Sequence, residues 1–568
     1  MSSLILKNKT SLLSRNFISK LRSSIRHVHS LGKDLDKEVF AALKANPLPG
    51  SVVSIVRPFE VEDVVHRCYG VANYNEDNLQ MSNPVTTSTI FPIGSLTKNF
   101  TALGLMHLVE EGKLDLDGPI KEYLPFLDLR EGSSPITLRH LLSHTSGIRE
   151  FRNYLDMLRA VNPFGSKPAS LREYYEGVPI KPIKEPGRIY YKSHHNFGLL
   201  GCLIEETTNK PLREYLNQKI FDPLGMRSTD LGLRDDMKEN LSDAFQMGWQ
   251  GYSVKRRAVE AVKGASGGFS CAEDMSKYIR ALLYPEKSNG VVTEKILDQM
   301  LTPTYRVNPH LAGQALSFNV DQAKFQHSEG HNEVVEDVGY LTCGQGMDWS
   351  GFQNALVFSR EMKVGACILA NAGSYTYEAS DIASRAFKLA IPKGWTMAST
   401  KPKEVDLKAS LGLTKSGVPS PQTWPQLTGF YQVPINQLLS ARLMWILGGE
   451  VQIFQEKGKL FLRSVWGPMR SNLTRRGPGV PIVAISDTSP YHFKVNSNKL
   501  ALATPVKGES CMTFEPGLGK LHIGLVTLEK RPMWLSIRLP VMAGTAYWIR
   551  WNIGKGKAFD ITTSLFLI

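Results

Sequence analysis

The stretch Phe-Pro-Ile-Gly-Ser-Leu-Thr-Lys, residues 91–98, ends an extended segment and opens a helix. Apolar residues recur at helical spacing after it, which predicts a helix from Ser95 to about Glu111, closed by Gly112. Residues three positions apart lie on one face of a helix, so this spacing brings the Lys98 ammonium group to the Ser95 hydroxyl. The predicted helix therefore carries a serine and a lysine side by side near its N-terminus.

This pair suits nucleophilic catalysis. A serine hydroxyl is a weak nucleophile until a base removes its proton, and a buried lysine beside another cation can become that base. The helix dipole adds a positive field where an oxyanion would form. Ser-x-x-Lys also occurs on solvated helices, where the serine is an N-cap, so the surrounding sequence has to distinguish the two cases.

Composition places the chain among ordinary globular proteins. The 568 residues are enough for several domains, and 42% are hydrophobic and 21% charged. No apolar run approaches the roughly 20 residues that span a bilayer, so we expect no membrane span. The net charge of +14 is uneven: residues 1–33 carry +7, residues 34–400 carry −5 and residues 401–568 carry +12. No nucleic-acid-binding motif accompanies this charge, and we expect no nucleic-acid partner.

The first 33 residues have the composition of a targeting segment. Lysine, arginine and serine are frequent, apolar residues recur every four positions from Leu13 to Ile25, and the first acidic residue is Asp34. This combination is typical of an organellar transit peptide, whereas a secretory signal needs an apolar core of about 7–15 residues that this segment lacks. We expect a presequence over residues 1–33 and a mitochondrial location. A disordered basic tail on a cytoplasmic protein is the alternative.

The six cysteines show neither a Cys-x-x-Cys pair nor a zinc-site spacing, which predicts reduced and mostly buried thiols. No phosphate-binding glycine loop is present either. We expect no metal and no cofactor.

Predicted strands lie at both ends of residues 34–391, with helices between them. Residues 50–56 and 63–74 are predicted as antiparallel neighbours near the start, and 351–358 and 363–370 as consecutive strands near the end. The pattern indicates an α/β (α+β) fold, in which helices cover an antiparallel sheet and form a helical insertion.

The texture of the sequence changes after this region. Residues 392–426 are rich in Lys, Pro, Ser and Thr, as domain linkers often are. Short strand-like runs punctuated by Gly and Pro fill residues 427–568. They predict a second domain, a small all-β barrel or sandwich.

Several segments in order carry a family likeness. They are Leu48–Val53, Phe91–Lys98, Leu108–Asp117, Tyr123–Pro125, Ile136–Gly147, Pro223–Met226, Ser266–Ser270 and Gly351-Phe352. On these segments, residues 48–390 resemble the serine β-lactamase and penicillin-binding-protein-like family, of the class C β-lactamase and esterase type. The region from Leu427 onward resembles the β-barrel domain often appended to such proteins.

The resemblance implies a β-lactamase/transpeptidase-like antiparallel sheet flanked by helices, with a helical subdomain. It also implies that Ser95 is the nucleophile and Lys98 the general base. The family's second motif is Tyr-x-Asn; the register set by neighbouring segments places Lys192 at the tyrosine position and His194 at the asparagine position. Tyr191 is adjacent, but a shift of one residue on an extended segment points to the opposite side, unless a bulge intervenes.

The third motif of the family contains His or Lys and lies on an edge strand. Here the corresponding residues are Gln345-Gly346-Met347. The family's second oxyanion donor is a backbone N–H near Asp348, which needs no particular side chain. The resemblance thus implies that Gln345, Gly346 and Asp348 border the site.

These departures change the expected chemistry. Two lysines, Lys98 and Lys192, near one serine would repel each other, so one amine could be neutral near pH 7 and act as the base. Lys192 or His194 could return a proton to the leaving group. Gln345 cannot pair with a carboxylate as a cation does. Neutral esters, thioesters or amides therefore fit better than penicillins or peptidoglycan stems.

The leading hypothesis is a serine-type hydrolase acting on a small ester or amide. An acyltransferase using the same acyl-enzyme is an alternative, since the family includes acyltransferases. Another is a non-catalytic, self-associating structural protein on this fold, which the altered motifs favour. A binding module acting through the basic C-terminal domain is a further alternative. For His140 and His144 we expect packing or capping roles, and for His195 a surface or supporting position.

Overall fold

The computed structural model describes residues 30–45, 48–58, 64–73, 83–130, 132, 134–149, 170–177, 179–248, 251–255, 262–306, 312–327, 333–343, 351–373, 378–392, 394–397, 424–432, 450–456, 459–464, 480–484, 492–495, 511–515, 519–523 and 526–531. The chain forms two units, one mainly of residues up to 399 and the other mainly of residues 400–568. The domain boundaries drawn from the sequence remain predictions.

The helices occupy mostly the middle of the first unit. Their bounds are α1 Ser30–Ala45, α2 Thr97–Glu110, α3 Ile120–Tyr123, α4 Leu138–Leu142, α5 Leu171–Tyr175, α6 His194–Thr208, α7 Leu212–Leu216, α8 Lys263–Ser266, α9 Ala272–Leu283, α10 Glu294–Leu301, α11 Glu378–Ala390 and α12 Trp424–Leu427. Single 3₁₀ turns lie at Gly94–Leu96, Asp235–Met237 and Pro285–Lys287, and a π-helical turn, Asn217–Phe221, continues α7.

Most of the strands lie before or after these helices in the sequence, and a few short ones lie among them. Their bounds are β1 Gly50–Val56, β2 Val64–Gly70, β3 Phe91–Pro92, β4 Ala244–Gly248, β5 Gly251–Lys255, β6 Phe269–Ser270, β7 Gly313–Gln314, β8 Asn319–His327, β9 Glu333–Cys343, β10 Gln353–Ser359, β11 Val364–Ala370, β12 Ala372–Gly373, β13 Trp395–Met397, β14 Gly429–Gln432, β15 Glu450–Glu456, β16 Lys459–Ser464, β17 Val480–Ala484, β18 His492–Val495, β19 Cys511–Glu515, β20 Lys520–Ile523 and β21 Val526–Arg531.

The large sheet of the first unit has the strand order β13-β8-β9-β10-β11-β1-β2, with β7 paired to β8. Its pairs are antiparallel, and β1 lies between β2 and β11. First and last strands of the region are thus neighbours, as the predicted arrangement requires. The predicted fold class, an antiparallel sheet covered by helices, is confirmed.

Both faces of this sheet are buried. Along β1, Val52 and Val56 join the core on one face, while Val53 and Ile55 join the core on the other, because successive side chains of a strand point to opposite faces. Helices α1 and α11 cover the second face, and α9 with the helical region covers the first. Burial of each such aliphatic side chain contributes roughly 1.5–3 kcal/mol.

Two segments differ from their predicted roles. Residues 395–397, assigned to the linker, form the edge strand β13, which pairs with β8. The ring of Trp395 packs against the ring of His327 on β8, with 5.2 Å between the ring centres, and this contact helps to hold the strand on the sheet. Helix α1 begins at Ser30, inside the predicted leader. Its residues Leu35 and Val39 are buried in the core, which binds this helix to the folded unit.

The second unit contains a closed antiparallel barrel, in which each strand from β14 to β21 pairs with the next and β14 pairs with β21. Alternate residues are buried, as shown by Val451 and Ile453 on β15 and by Leu460 and Leu462 on β16. This observation decides between the predicted barrel and sandwich in favour of the barrel.

The described thiols agree with the predicted reduced state. Cys202, Cys271 and Cys367 are free and buried, and Cys68 is free and half-buried. Burial raises the pKa of Cys271 to about 12 and that of Cys68 to about 11, so both stay protonated near neutral pH.

A buried carboxylate, paired with two partly exposed arginines, supports the short ribbon formed by β3 and β6. Asp230 is fully buried, and its carboxylate accepts two hydrogen bonds of 2.7 Å from Arg213 and one of 3.3 Å from Arg234. The main chain of Asp230 exchanges two hydrogen bonds with Phe269 on β6. These groups thus hold the ribbon from the side remote from β3.

We expect Arg213→Ala to lower the free energy of unfolding by roughly 1–3 kcal/mol, because it removes two of the three hydrogen bonds that the buried Asp230 carboxylate accepts from Arg213 and Arg234. The control is Arg139→Ala, which removes a 2.7 Å pair with Asp117 whose side chains are 34% and 63% exposed. That change should cost less than about 1 kcal/mol. Urea unfolding followed by tryptophan fluorescence measures both. Equal losses for the two variants would contradict a supporting role for Asp230.

Candidate active site

The segment that carries Ser95 passes from strand to helix within a few residues. β3 pairs with β6, and the Ile93 N–H donates to the Gly268 carbonyl at 2.9 Å. Gly94 follows with φ of +50°, a conformation that residues with a Cβ rarely adopt. The 3₁₀ turn over residues 94–96 then leads directly into α2. The glycine lets the chain turn sharply and places Ser95 in the first turn.

Ser95 and Lys98 are brought together as the spacing predicts. Lys98 Nζ lies 3.0 Å from Ser95 Oγ, and the two residues are 1% and 2% exposed, respectively. Lys98 Nζ also donates to the Ala265 carbonyl at 2.7 Å and lies 5.6 Å from the centre of the Phe197 ring. The lysine is therefore held by a main-chain oxygen and an aromatic face while it contacts the serine.

Residues 264–268 form the wall behind this pair. The Gly268 N–H donates to Thr97 Oγ1 at 3.0 Å, and Thr101 Oγ1 donates to the Gly264 carbonyl at 2.8 Å. Ser266–Ser270 is one of the family-like segments, but its residue types gave no sign of this contact with the Ser95–Lys98 pair. The contact from Ala265 is made by a main-chain carbonyl, so no residue type at that position could signal it.

The second-motif residues lie where an extended segment meets α6. Tyr191 is buried, Lys192 half-buried, Ser193 buried and His194 half-buried. This alternation agrees with opposite orientations for Tyr191 and Lys192. Five residues after Lys192, Phe197 contacts Lys98. The catalytic roles of Lys192, His194 and Tyr191 remain predictions.

The third-motif residues Gln345, Gly346 and Asp348 lie outside the described residues. The preceding strand, β9, ends beside the site: its last residue, Cys343, is paired with Asn354, whose side-chain amide donates to the Pro92 carbonyl at 3.0 Å. β9 itself is flanked by β8 and β10. The expected edge-strand position of the third motif, which follows β9, remains a prediction. The extra strands β8 and β13 extend the sheet past this point.

Two of the histidines have structural partners. His140 and Thr137 form a reciprocal capping box at the start of α4, which confirms the capping role expected of His140. Burial lowers the pKa of His140, which keeps the ring neutral at neutral pH. His195 is buried, and its Nδ1 lies 3.2 Å from the Tyr175 hydroxyl, so a surface position for it is wrong. Helix α6 begins at His194 and turns His195 toward α5.

Other kinds of site are not evident in the part of the chain that the structure describes. Within it, no group of three or more His, Cys, Asp or Glu side chains is arranged to hold a metal ion. Among the same residues, no helix combines the length and apolar character needed to cross a membrane.

Comparison with known proteins agrees with this architecture. Esterase EstB of Burkholderia gladioli is 29% identical over 206 residues, which cover 35% of this chain and 51% of the esterase. ML-236A carboxylate methylbutanoyltransferase mlcH of Penicillium citrinum is 26% identical over 290 residues, covering 46% of this chain and 67% of that enzyme. The chain thus spans about half to two thirds of the length of these curated relatives.

A solved structure extends the likeness to most of the chain. The octameric penicillin-binding protein homologue from Pyrococcus abyssi has a TM-score of 0.53 at 20% identity, covering 88% of this chain and all of that one, which shows a shared fold. The Beta-lactamase family matches residues 37–390, more than half of the sequence. This chain therefore belongs to the Beta-lactamase family, whose relatives here include serine hydrolases and an acyltransferase.

Proposed function

We propose that this protein is a serine-type enzyme that hydrolyses a neutral ester or amide through an acyl-enzyme on Ser95. The observation that carries the proposal is the 3.0 Å contact between Lys98 Nζ and Ser95 Oγ in a buried site. A nucleophile within hydrogen-bond reach of its base is the arrangement that covalent catalysis requires. The esterase activity named for EstB supports the same chemistry.

In the first half-reaction, Ser95 Oγ attacks the substrate carbonyl carbon while its proton passes to Lys98 Nζ. Backbone N–H groups of Ser95 and of the residue near Asp348 stabilise the oxyanion. The bond to the leaving group then breaks, and the departing alcohol or amine takes the proton from Lys98, either directly or relayed through Lys192 or His194, which returns Lys98 to its neutral form. The product of this half-reaction is an ester of Ser95.

In the second half-reaction, water attacks the acyl carbon and gives up a proton to Lys98 Nζ. The bond to Ser95 Oγ breaks, the acid leaves, and Ser95 regains its proton. A neutral lysine has two hydrogens and one lone pair. It can therefore donate to the Ala265 carbonyl and accept from the Ser95 hydroxyl at the same time.

The substrate class follows from the third motif. Gln345 stands where the resemblance implies a cation, and its neutral amide cannot pair with a substrate carboxylate as a cation does. An uncharged acyl group next to the reacting carbonyl therefore fits best. Transfer to an alcohol or amine instead of water is the second candidate, and the methylbutanoyltransferase named among the relatives favours it.

A structural role is a third candidate. Lys192 and His194 stand where the resemblance implies a tyrosine and an asparagine. The penicillin-binding protein homologue from Pyrococcus abyssi, which shares the fold, is an octamer. We propose that the protein self-associates whether or not it is catalytic. The basic, acid-free residues 1–33 favour mitochondrial targeting as its location.

The proposal is tested on the full chain with a fluorophosphonate probe and with p-nitrophenyl butyrate. We expect covalent labelling and a burst of p-nitrophenol equal to the enzyme concentration, because acylation releases the phenol first. Adding a short alcohol separates the two enzymatic candidates: a butyrate ester indicates transfer, and butyric acid indicates hydrolysis. Absence of both labelling and burst, with large particles in light scattering, would replace the enzyme by the structural role.

A further inference from the structure

His144 has an unusual backbone conformation in the turn that follows α4. Its φ is +56°, in the left-handed region, and the residue is 3% exposed. Residues other than glycine seldom adopt this conformation, and it persists where surrounding contacts over-determine it. The contacts that His144 makes therefore hold it in this conformation.

The contacts of His144 hold the segment that precedes α6. Its carbonyl accepts a hydrogen bond of 2.8 Å from the Tyr191 N–H, and its Nδ1 lies 3.3 Å from the Ser193 nitrogen. One residue therefore fixes the main chain immediately before and immediately after Lys192. Since the Ser193 N–H is a donor, Nδ1 is the acceptor and the ring proton lies on Nε2.

A side-chain network fixes the same ring from a second direction. Ser146 Oγ donates to Asn196 Oδ1 at 2.7 Å, which turns the Asn196 amide nitrogen toward His144 Nδ1 at 3.0 Å. Asn196 and Ser146 are both buried. The imidazole thus accepts from two donors whose own positions are determined by their neighbours.

The ring also reaches Lys98 through one intermediate side chain. Its centre lies 5.2 Å from that of Phe197, and the Phe197 ring in turn lies 5.6 Å from Lys98 Nζ. A displacement of His144 would therefore move both the Lys192 segment and the aromatic face against which Lys98 rests.

We propose that His144 is a positioning residue for acylation, acting by fixing the main chain on both sides of Lys192 and the Phe197 ring against Lys98. The inference rests on the proposed function, because it assigns His144 to the step that forms the Ser95 ester. It is separate from the packing role expected from the sequence, since it concerns the rate of that step.

Three substitutions separate the parts of this role. His144→Gly keeps the left-handed backbone and removes the ring. His144→Asn tolerates that backbone and offers Oδ1 where the histidine has Nδ1. His144→Ala loses the acceptor and strains the backbone. His140→Ala is the matched control, because His140 caps α4 within the same segment of chain.

The readouts are the rate of fluorophosphonate labelling and the p-nitrophenyl butyrate burst, each normalised to the folded fraction from circular dichroism. We expect His144→Gly and His144→Ala to lower kcat on the order of 100-fold with little change in KM, because a misplaced catalytic group slows the chemical step. His144→Asn should restore most of the rate, and His140→Ala should lower the melting temperature but label at the wild-type rate.

Two failures have different meanings. A wild-type chain that forms no acyl-enzyme overturns the proposed function. A wild-type chain that labels, with folded His144→Gly labelling equally fast, overturns only the positioning role. A folded His144→Asn that remains as slow as His144→Gly also overturns it, because the hydrogen-bond acceptor would then not be the operative feature.

Discussion

Replacement of Ser95 by alanine is expected to abolish fluorophosphonate labelling and to reduce ester turnover by several orders of magnitude. Removing the nucleophile of a serine hydrolase costs on the order of 10⁶-fold in kcat, because what remains is binding and oxyanion stabilisation alone. The Lys98 amine would then face a methyl group in place of the hydroxyl it contacts at 3.0 Å. The labelled protein is quantified on a denaturing gel, and turnover is quantified by p-nitrophenol release.

The matched control for this substitution is Ser276→Ala. Ser276 is also a buried helical serine, and its hydroxyl donates to the Ala272 carbonyl at 2.9 Å within α9. This variant should label like the wild type. Persistent labelling of Ser95→Ala at the wild-type rate would assign the nucleophile to a different residue.

Replacement of Lys98 by methionine should reduce the acylation rate on the order of 10²–10⁴-fold, the contribution of a positioned general base. Methionine keeps an apolar stem in the buried site but cannot take the Ser95 proton. It also leaves the Ala265 carbonyl without the 2.7 Å donor, so the variant should lose roughly 1–3 kcal/mol of stability. Stopped-flow burst kinetics and urea unfolding measure the two effects separately.

A second substitution distinguishes a base from a fixed positive charge. Lys98→Arg keeps a cation but cannot deprotonate, so we expect it to be as slow as Lys98→Met. The control is Lys113→Met, since Lys113 is an exposed lysine just beyond α2. An arginine variant that acylates at the wild-type rate would show that Lys98 acts through its charge and that the base lies elsewhere.

The sequence predicted those parts of the fold that depend on local pattern. The apolar character and length of residues 50–56 and 363–370 indicated buried strands, and the structure pairs them as neighbours in one sheet. The spacing of Ser95 and Lys98 fixed their contact, because three positions on a helix return to the same face. Both the strand character and the Ser95–Lys98 contact depend only on residues close together in the sequence.

Features that depend on distant contacts were harder to predict. Trp395 lies in a segment with linker composition, yet its packing on His327 adds it to the sheet. His195 has the polarity of a surface residue, but α6 turns it toward Tyr175. The left-handed conformation of His144 is similarly imposed by the hydrogen bonds it makes with residues about fifty positions away.

Because the Ala265 carbonyl anchors Lys98, it determines which substitutions residues 264–268 can tolerate. Serine or glycine at position 265 would supply the same main-chain oxygen, so the type of side chain there does not affect this contact. The size of that side chain is restricted, because Ala265 is completely buried. The adjacent glycines are less tolerant: a methyl group on Gly264 would come within 2.8 Å of the Phe197 carbonyl, and one on Gly268 within 2.7 Å of Thr97 Oγ1. Selection around Lys98 should therefore act on side-chain volume, and a one-residue insertion between 264 and 268 should displace the Ala265 carbonyl from Lys98 although every polar side chain survives.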